Sequence, residues 1–146
     1  MSYCSKTDLE NVVGVQLVLD LTDDEKSGSG NAEVLVRVTR AISDADAVID
    51  GHLQAEYSVP VIAPIPALLR KLSEDLALFN LYSRRASGLE LPAYILQKQI
   101  DAMRMLAAIR DGKMELGASP AIGESTGVLN SEAEEWVFTH DTMSEF

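Results

Sequence analysis

The chain has 146 residues, of which 47% are hydrophobic, 24% charged and 5% aromatic, the size of one domain or one domain with a tail, and long enough to fold without a disulfide or metal staple. Twelve Lys and Arg against 23 Asp and Glu give a net charge of −11, which argues against a protein that grips a phosphate backbone. One cysteine excludes an internal disulfide, and one Cys with two distant His excludes a structural zinc centre of the usual kind.

Residues 5 to 21 predict a short helix and a second turn. Thr7 can cap it, Asp8 and Glu10 suit its first turn, and Leu9, Val12, Val13 and Leu17 form a short apolar stripe that Gly14 weakens. The run 24–31 carries Ser27, Gly28, Ser29 and Gly30 and reads as a flexible surface loop. Asn31 then suits an N-cap. Leu35, Val38, Ile42, Ala45, Ile49 and Leu53 follow in steps of three and four, which predicts a helix from about 32 to 56, ended ahead of Pro60. Tyr57 to Pro66 is an extended apolar connection with three prolines.

Pro66 fits the first position of the next helix. Its seam is Leu69, Leu72, Leu76, Phe79 and Ser83, widened by Leu68 and Leu78, and it ends near Arg84 and Arg85, with Gly88 as the breaker. The last helix opens near Pro92. Tyr94 or Ile95, Leu96, Ile100, Met103, Ala107 and Ile109 or Arg110 form its apolar side, and Gly112 is its C-terminal stop.

From Gly117 the helical pattern fails. Residues 117–146 hold six acids and no Lys or Arg, while the other 116 residues carry 17 acids and 12 bases. Residues 118–123 have linker composition. Trp136 and Phe138 alternate with Val137 and Thr139, all good strand formers. No span approaches the ~20 apolar residues of a membrane helix, and the first residues lack a secretory signal core, so synthesis and use in a cytoplasm are expected. The sequence therefore predicts an all-α small bundle of about four helices over 1–117 and an acidic, extended C-terminal arm over 118–146. Trp136, Val137, Phe138 and Phe146 are the residues through which that arm would dock on another chain, for instance as an added strand.

The residues for catalysis are sparse. Gly28-Ser29-Gly30 is too short for a phosphate loop, and no hydrolase elbow or zinc-protease motif occurs. Cys4 and His52 suggest a nucleophile pair by type alone. Asp23, Glu25 and Gly28 resemble the front of a calcium loop whose twelfth position is Val34, not Glu. Asp44, Asp46 and Asp50 lie close on one helix, where paired carboxylates can do acid–base or metal work, or simply form a solvated face. Arg84 and Arg85 can meet a partner's carboxylate or serve their own helix end. No cofactor and no metal are expected.

The order of segments resembles the small neck proteins of Mu-like phages, the family named for Mu gene product 36, over about residues 3–117. Carrying the likeness are Tyr3-Cys4 with Asp8-Leu9, Leu21-Thr22-Asp23, Ala47 to Leu53 running to Tyr57-Ser58-Val59-Pro60, Ile65 to Leu72, Leu81-Tyr82, Tyr94 and Gly112 to Gly117. Such proteins look like the head–tail connector adaptors of long-tailed phages. The resemblance implies a non-enzymatic subunit of the virion neck, made in the host bacterial cytoplasm. It implies a ring of twelve copies below the portal protein, with the arm reaching into the portal assembly. A downstream neck or tail-completion protein would follow, and DNA would pass the channel without specific binding. On that reading Asp44, Asp46 and Asp50 are candidate channel-facing acids, and Tyr57, Pro60, Arg84 and Arg85 are candidate subunit contacts. The competing reading is a small acidic helical regulator whose tail folds on a soluble partner.

Overall fold

A computed structural model describes residues 2–24, 32–85 and 90–116. The arm over 118–146, with Trp136, Val137, Phe138 and Phe146, lies outside the described residues, as do Asn31, Gly88 and most of the calcium-like loop. Within the described residues the chain is all-α: α1 Lys6–Val13, α2 Val15–Thr22, α3 Ala32–Leu53, α4 Ala67–Arg84 and α5 Ala93–Arg110.

The first segment is two helices rather than one. Ser5, not Thr7, is the N-cap of α1. Its side chain accepts from the Asp8 N–H, and the Asp8 carboxylate accepts from the Ser5 N–H at 2.8 Å, a reciprocal capping box. These bonds to its charged form, the Ser5 hydroxyl's foremost, hold the Asp8 carboxyl below its ordinary range. Gly14 separates the two helices at φ 87°, ψ 147°, a conformation that side chains with a Cβ avoid. The break turns Leu9 of α1 and Val18 and Leu21 of α2 into the same core.

α3 buries Val34, Val38, Ala41, Ile42, Ala45, Ile49 and Leu53. The predicted seam holds from Val38 onward, but its first member is Val34, with Leu35 left 55% exposed. α4 follows Pro66, which stands at the cap position, one residue before the helix. Its seam is wider than predicted: Ala77, Leu81 and Tyr82 are buried with the expected Leu69, Leu72, Leu76 and Leu78, while Ser83 is exposed. The reason is topological, because α3 and α4 each touch all the other helices.

α5 packs on α3 and α4 alone. It buries Ile95, Ala102, Leu106 and Ile109, so Tyr94 and Leu96 face outward, contrary to part of the predicted face. Buried Asp75 on α4 takes Lys71 at 2.6 Å and Lys98 of α5 at 3.1 Å, which ties the two helices. Gly112 ends α5 with φ 67°, as a C-terminal glycine should. Beyond it, Leu116 is buried, and its N–H donates to the Tyr57 hydroxyl at 3.2 Å. Each fully buried aliphatic side chain contributes on the order of 1.5–3 kcal/mol.

Candidate functional site

The three aspartates of α3 have different surroundings. Asp46 is 8% exposed. Its carboxylate accepts from the Ser2 hydroxyl at 2.7 Å, the Tyr3 N–H at 3.1 Å and the Ser73 hydroxyl of α4 at 2.7 Å. Asp50 accepts from the Tyr3 hydroxyl, which itself accepts from the Val61 N–H at 2.9 Å. Asp44 is exposed and has no partner among the described residues. The expectation of one solvated row is corrected at Asp46, which is turned into the body; Asp50 is half-buried and engaged beside it, and Asp44 is exposed. A carboxylate that already accepts three bonds from the body is also a poor acid–base or metal residue.

Sequence reasoning missed Tyr3 and Ser73, the partners that make this network. Tyr3 is 2% exposed, and burial, then the Asp50 hydrogen bond, push its hydroxyl well above the usual tyrosine range. Cys4 is buried beside it, its thiol pushed up to about 11, mainly by burial. A thiol so raised stays protonated at neutral pH and is a weak nucleophile. The Ser73 hydroxyl lies 3.2 Å from its sulfur. His52 instead sets Nδ1 2.9 Å from the Val48 carbonyl. The suggested Cys4–His52 pair is thus not assembled.

The second constellation joins α2, α3 and α4. Arg84 meets both carboxylate oxygens of Asp24 at 3.0 Å and donates to the Leu21 carbonyl at 2.6 Å. Arg37 donates to the Thr22 carbonyl at 2.6 Å and pairs with Asp24 at 3.4 Å and Glu33 at 3.0 Å. Two guanidiniums therefore satisfy the last carbonyls of α2, where a helix leaves acceptors open and favours positive charge. The Arg84 hydrogen bonds hold the Asp24 carboxyl below its ordinary range. Arg84, a candidate subunit contact, spends its charge inside its own chain. Arg85 is half-buried without such a clamp.

The remaining candidate contacts sit near the end of the described body. The Tyr57 hydroxyl accepts from Leu116, which fixes where the chain leaves toward residue 117, and Pro60 is exposed. Ile62, 76% exposed, is the most exposed large apolar side chain among the described residues. Among the described residues no group of three His, Cys, Asp or Glu could hold a metal, and no helix is long and apolar enough to cross a membrane.

Comparison with known proteins matches residues 3–129 to the family described as Bacteriophage Mu, Gp36. Gene product J of Escherichia phage Mu is 29% identical over 119 residues, which cover 82% of this chain and 76% of that protein.

Proposed function

The chain belongs to the Bacteriophage Mu Gp36 family, and from that premise we propose that it is a non-enzymatic structural subunit of the phage neck, an adaptor between the portal protein and the tail. The observation that carries the proposal is the family match over residues 3–129, which takes in the whole described helical body. In this reading copies of the body form a ring beneath the portal, twelve where the portal has twelve, and the 118–146 arm docks on the portal through Trp136, Val137, Phe138 and Phe146.

The geometry supports a rigid building block. The polar residues that could suggest chemistry are consumed by the fold: Asp46 and Asp50 fasten residues 2–4, and Arg37 and Arg84 close α2. Two features suit a ring around DNA. The net charge of −11 repels a phosphate backbone, so the polymer would pass without sticking. Exposed Leu35, Val36 and Ile62 offer apolar surface for neighbours.

The test is co-purification of the full-length chain, and of a chain lacking 118–146, with the cognate portal protein, followed by electron microscopy. A ring of full-length protein on the portal, absent with the truncated chain, is expected. A truncated chain that decorates the portal normally would refute the arm's role. Absence of the protein from purified virions would refute the neck assignment and favour the soluble regulator.

A further inference from the structure

Three arginines converge at one opening of the described body. A cleft of about 390 Å³ between α3 and α4 is lined by Arg37, Arg40 and Arg84 with Val36 and Leu81 as its apolar wall. Three of the chain's twelve Lys and Arg thus share one opening in a strongly acidic protein. Arg37 and Arg84 are anchored by the α2 carbonyls and paired with Asp24, and Arg37 also with Glu33, so their guanidiniums are fixed in place with N–H groups to spare and Arg40 is the cation of the cleft without an acid partner among the described residues. Arg40 is exposed. Val36 beside it is 65% exposed, and Leu35 next to that is also exposed. Among the described lining residues Asp44 is the one acid, and it stands one turn after Arg40.

Such a cleft fits an acidic peptide with an aromatic anchor, and the chain carries one: Glu132, Glu134, Glu135, Trp136 and Phe138, in a 30-residue stretch without a Lys or Arg. We propose that before assembly residues 132–138 rest in the Arg40 cleft of their own chain. The carboxylates meet Arg40 and the free N–H groups of Arg37 and Arg84, and the Trp136 ring lies on Val36 and against a guanidinium face. Reach permits it. The chain leaves the body at Leu116, held to Tyr57 just past the end of α3, and Arg40 lies 13 residues up that helix, about 20 Å. The intervening residues 117–131 can span up to about 50 Å. Asp44 disfavours acids at one end of the cleft and so sets the direction in which they sit. The inference does not depend on the portal reading, because the isolated chain tests it.

Trp136 is the only tryptophan in the chain, so fluorescence of the full-length protein reads its surroundings directly. The expected wild-type signal is a blue-shifted emission with weak acrylamide quenching, independent of protein concentration. It should move toward the urea-unfolded values as salt is raised, because the contacts are screened. Arg40→Glu should bring the quenching constant to that of the unfolded chain while circular dichroism stays unchanged. A second variant, Glu132→Gln with Glu134→Gln and Glu135→Gln, leaves the body untouched and should have the same effect. Wild-type emission and quenching equal to those of the unfolded chain would overturn the proposal. So would an Arg40→Glu protein indistinguishable from wild type. Protection that grows with concentration would also overturn it, and would assign the cleft to a second copy.

Discussion

Asp46→Ala is the sharpest probe of how the body is held together. The substitution removes the acceptor for three donors from two places in the sequence: Ser2 and Tyr3 near the start, and Ser73 on α4. Ser2 lies near water and can be resolvated at little cost. The Tyr3 N–H is buried and has no second partner, so leaving it unpaired costs roughly 1–3 kcal/mol. Ser73 can turn its hydroxyl to the Cys4 sulfur, already 3.2 Å away, but exchanges a charge-assisted bond for a weak one, at roughly 1–2 kcal/mol. The expected loss is about 2–5 kcal/mol, a large fraction of the stability of a domain this size. Urea unfolding followed by far-UV circular dichroism would read it as a lower midpoint with an unchanged slope. Asp46→Asn keeps one acceptor and should lose about half as much. A midpoint for Asp46→Ala within error of wild type would refute the reasoning, because it would mean that residues 2–4 are not anchored by this carboxylate.

Other consequences can be checked in the same way. Gly14→Ala should destabilise by about 1–3 kcal/mol through backbone strain alone, since φ is 87° and a Cβ there meets nothing within 4 Å. Gly51→Ala, in open space within α3, should stabilise by about 0.5–1 kcal/mol, and urea midpoints of opposite sign would confirm the contrast. The Asp24 carboxyl is depressed by Arg84, so its contribution is present above the ordinary carboxylate range and is lost as pH falls through its lowered value. Arg84→Ala should move the Asp24 titration, followed by carboxyl carbon NMR, upward toward the ordinary carboxylate range, with Arg37 still opposing a full return. Ile49 is fully buried mid-seam, so Ile49→Asp should unfold the body, whereas Ile49→Val should cost only about 0.5–1.5 kcal/mol. A cooperatively folded Ile49→Asp protein by thermal melting would mean that the seam is misplaced.

Much of the architecture is legible from spacing. Val38 to Leu53 and Leu69 to Leu76 repeat in steps of three and four, and Pro66, Pro92 and Gly112 mark ends where the helices begin and stop. The errors share a cause. Periodicity gives a face but not its width, and α4, packed on four sides, buries residues that a single seam leaves outside. On α5, adjacent apolar residues such as Tyr94, Ile95 and Leu96 leave the phase undetermined, and only the packing on α3 and α4 selects Ile95. The split at Gly14 needs a positive φ that composition alone does not demand. The family order is legible because it lies in the chain's linear arrangement of segments. The site chemistry is not. Asp46 reads as a surface acid until Ser73, 27 residues away, and Tyr3, 43 away, are seen to close on it. The Arg37–Arg40–Arg84 cleft likewise exists only once α3 and α4 pair.

The Cys4–Ser73 contact closes across 69 positions of sequence. At ordinary translation rates of about 5–20 residues per second, residues 2–4 leave the ribosome roughly 4–14 s before the α4 residue that receives them. During that interval the α3 carboxylates that hold Tyr3 emerge first, 43 and 47 positions on, and Cys4 still lacks the α4 wall against which it is buried. Residues 2–4 thus wait for α4 before they are fully enclosed. A substitution that weakens their anchorage should therefore register in soluble yield from living cells before it registers in the melting of the purified protein.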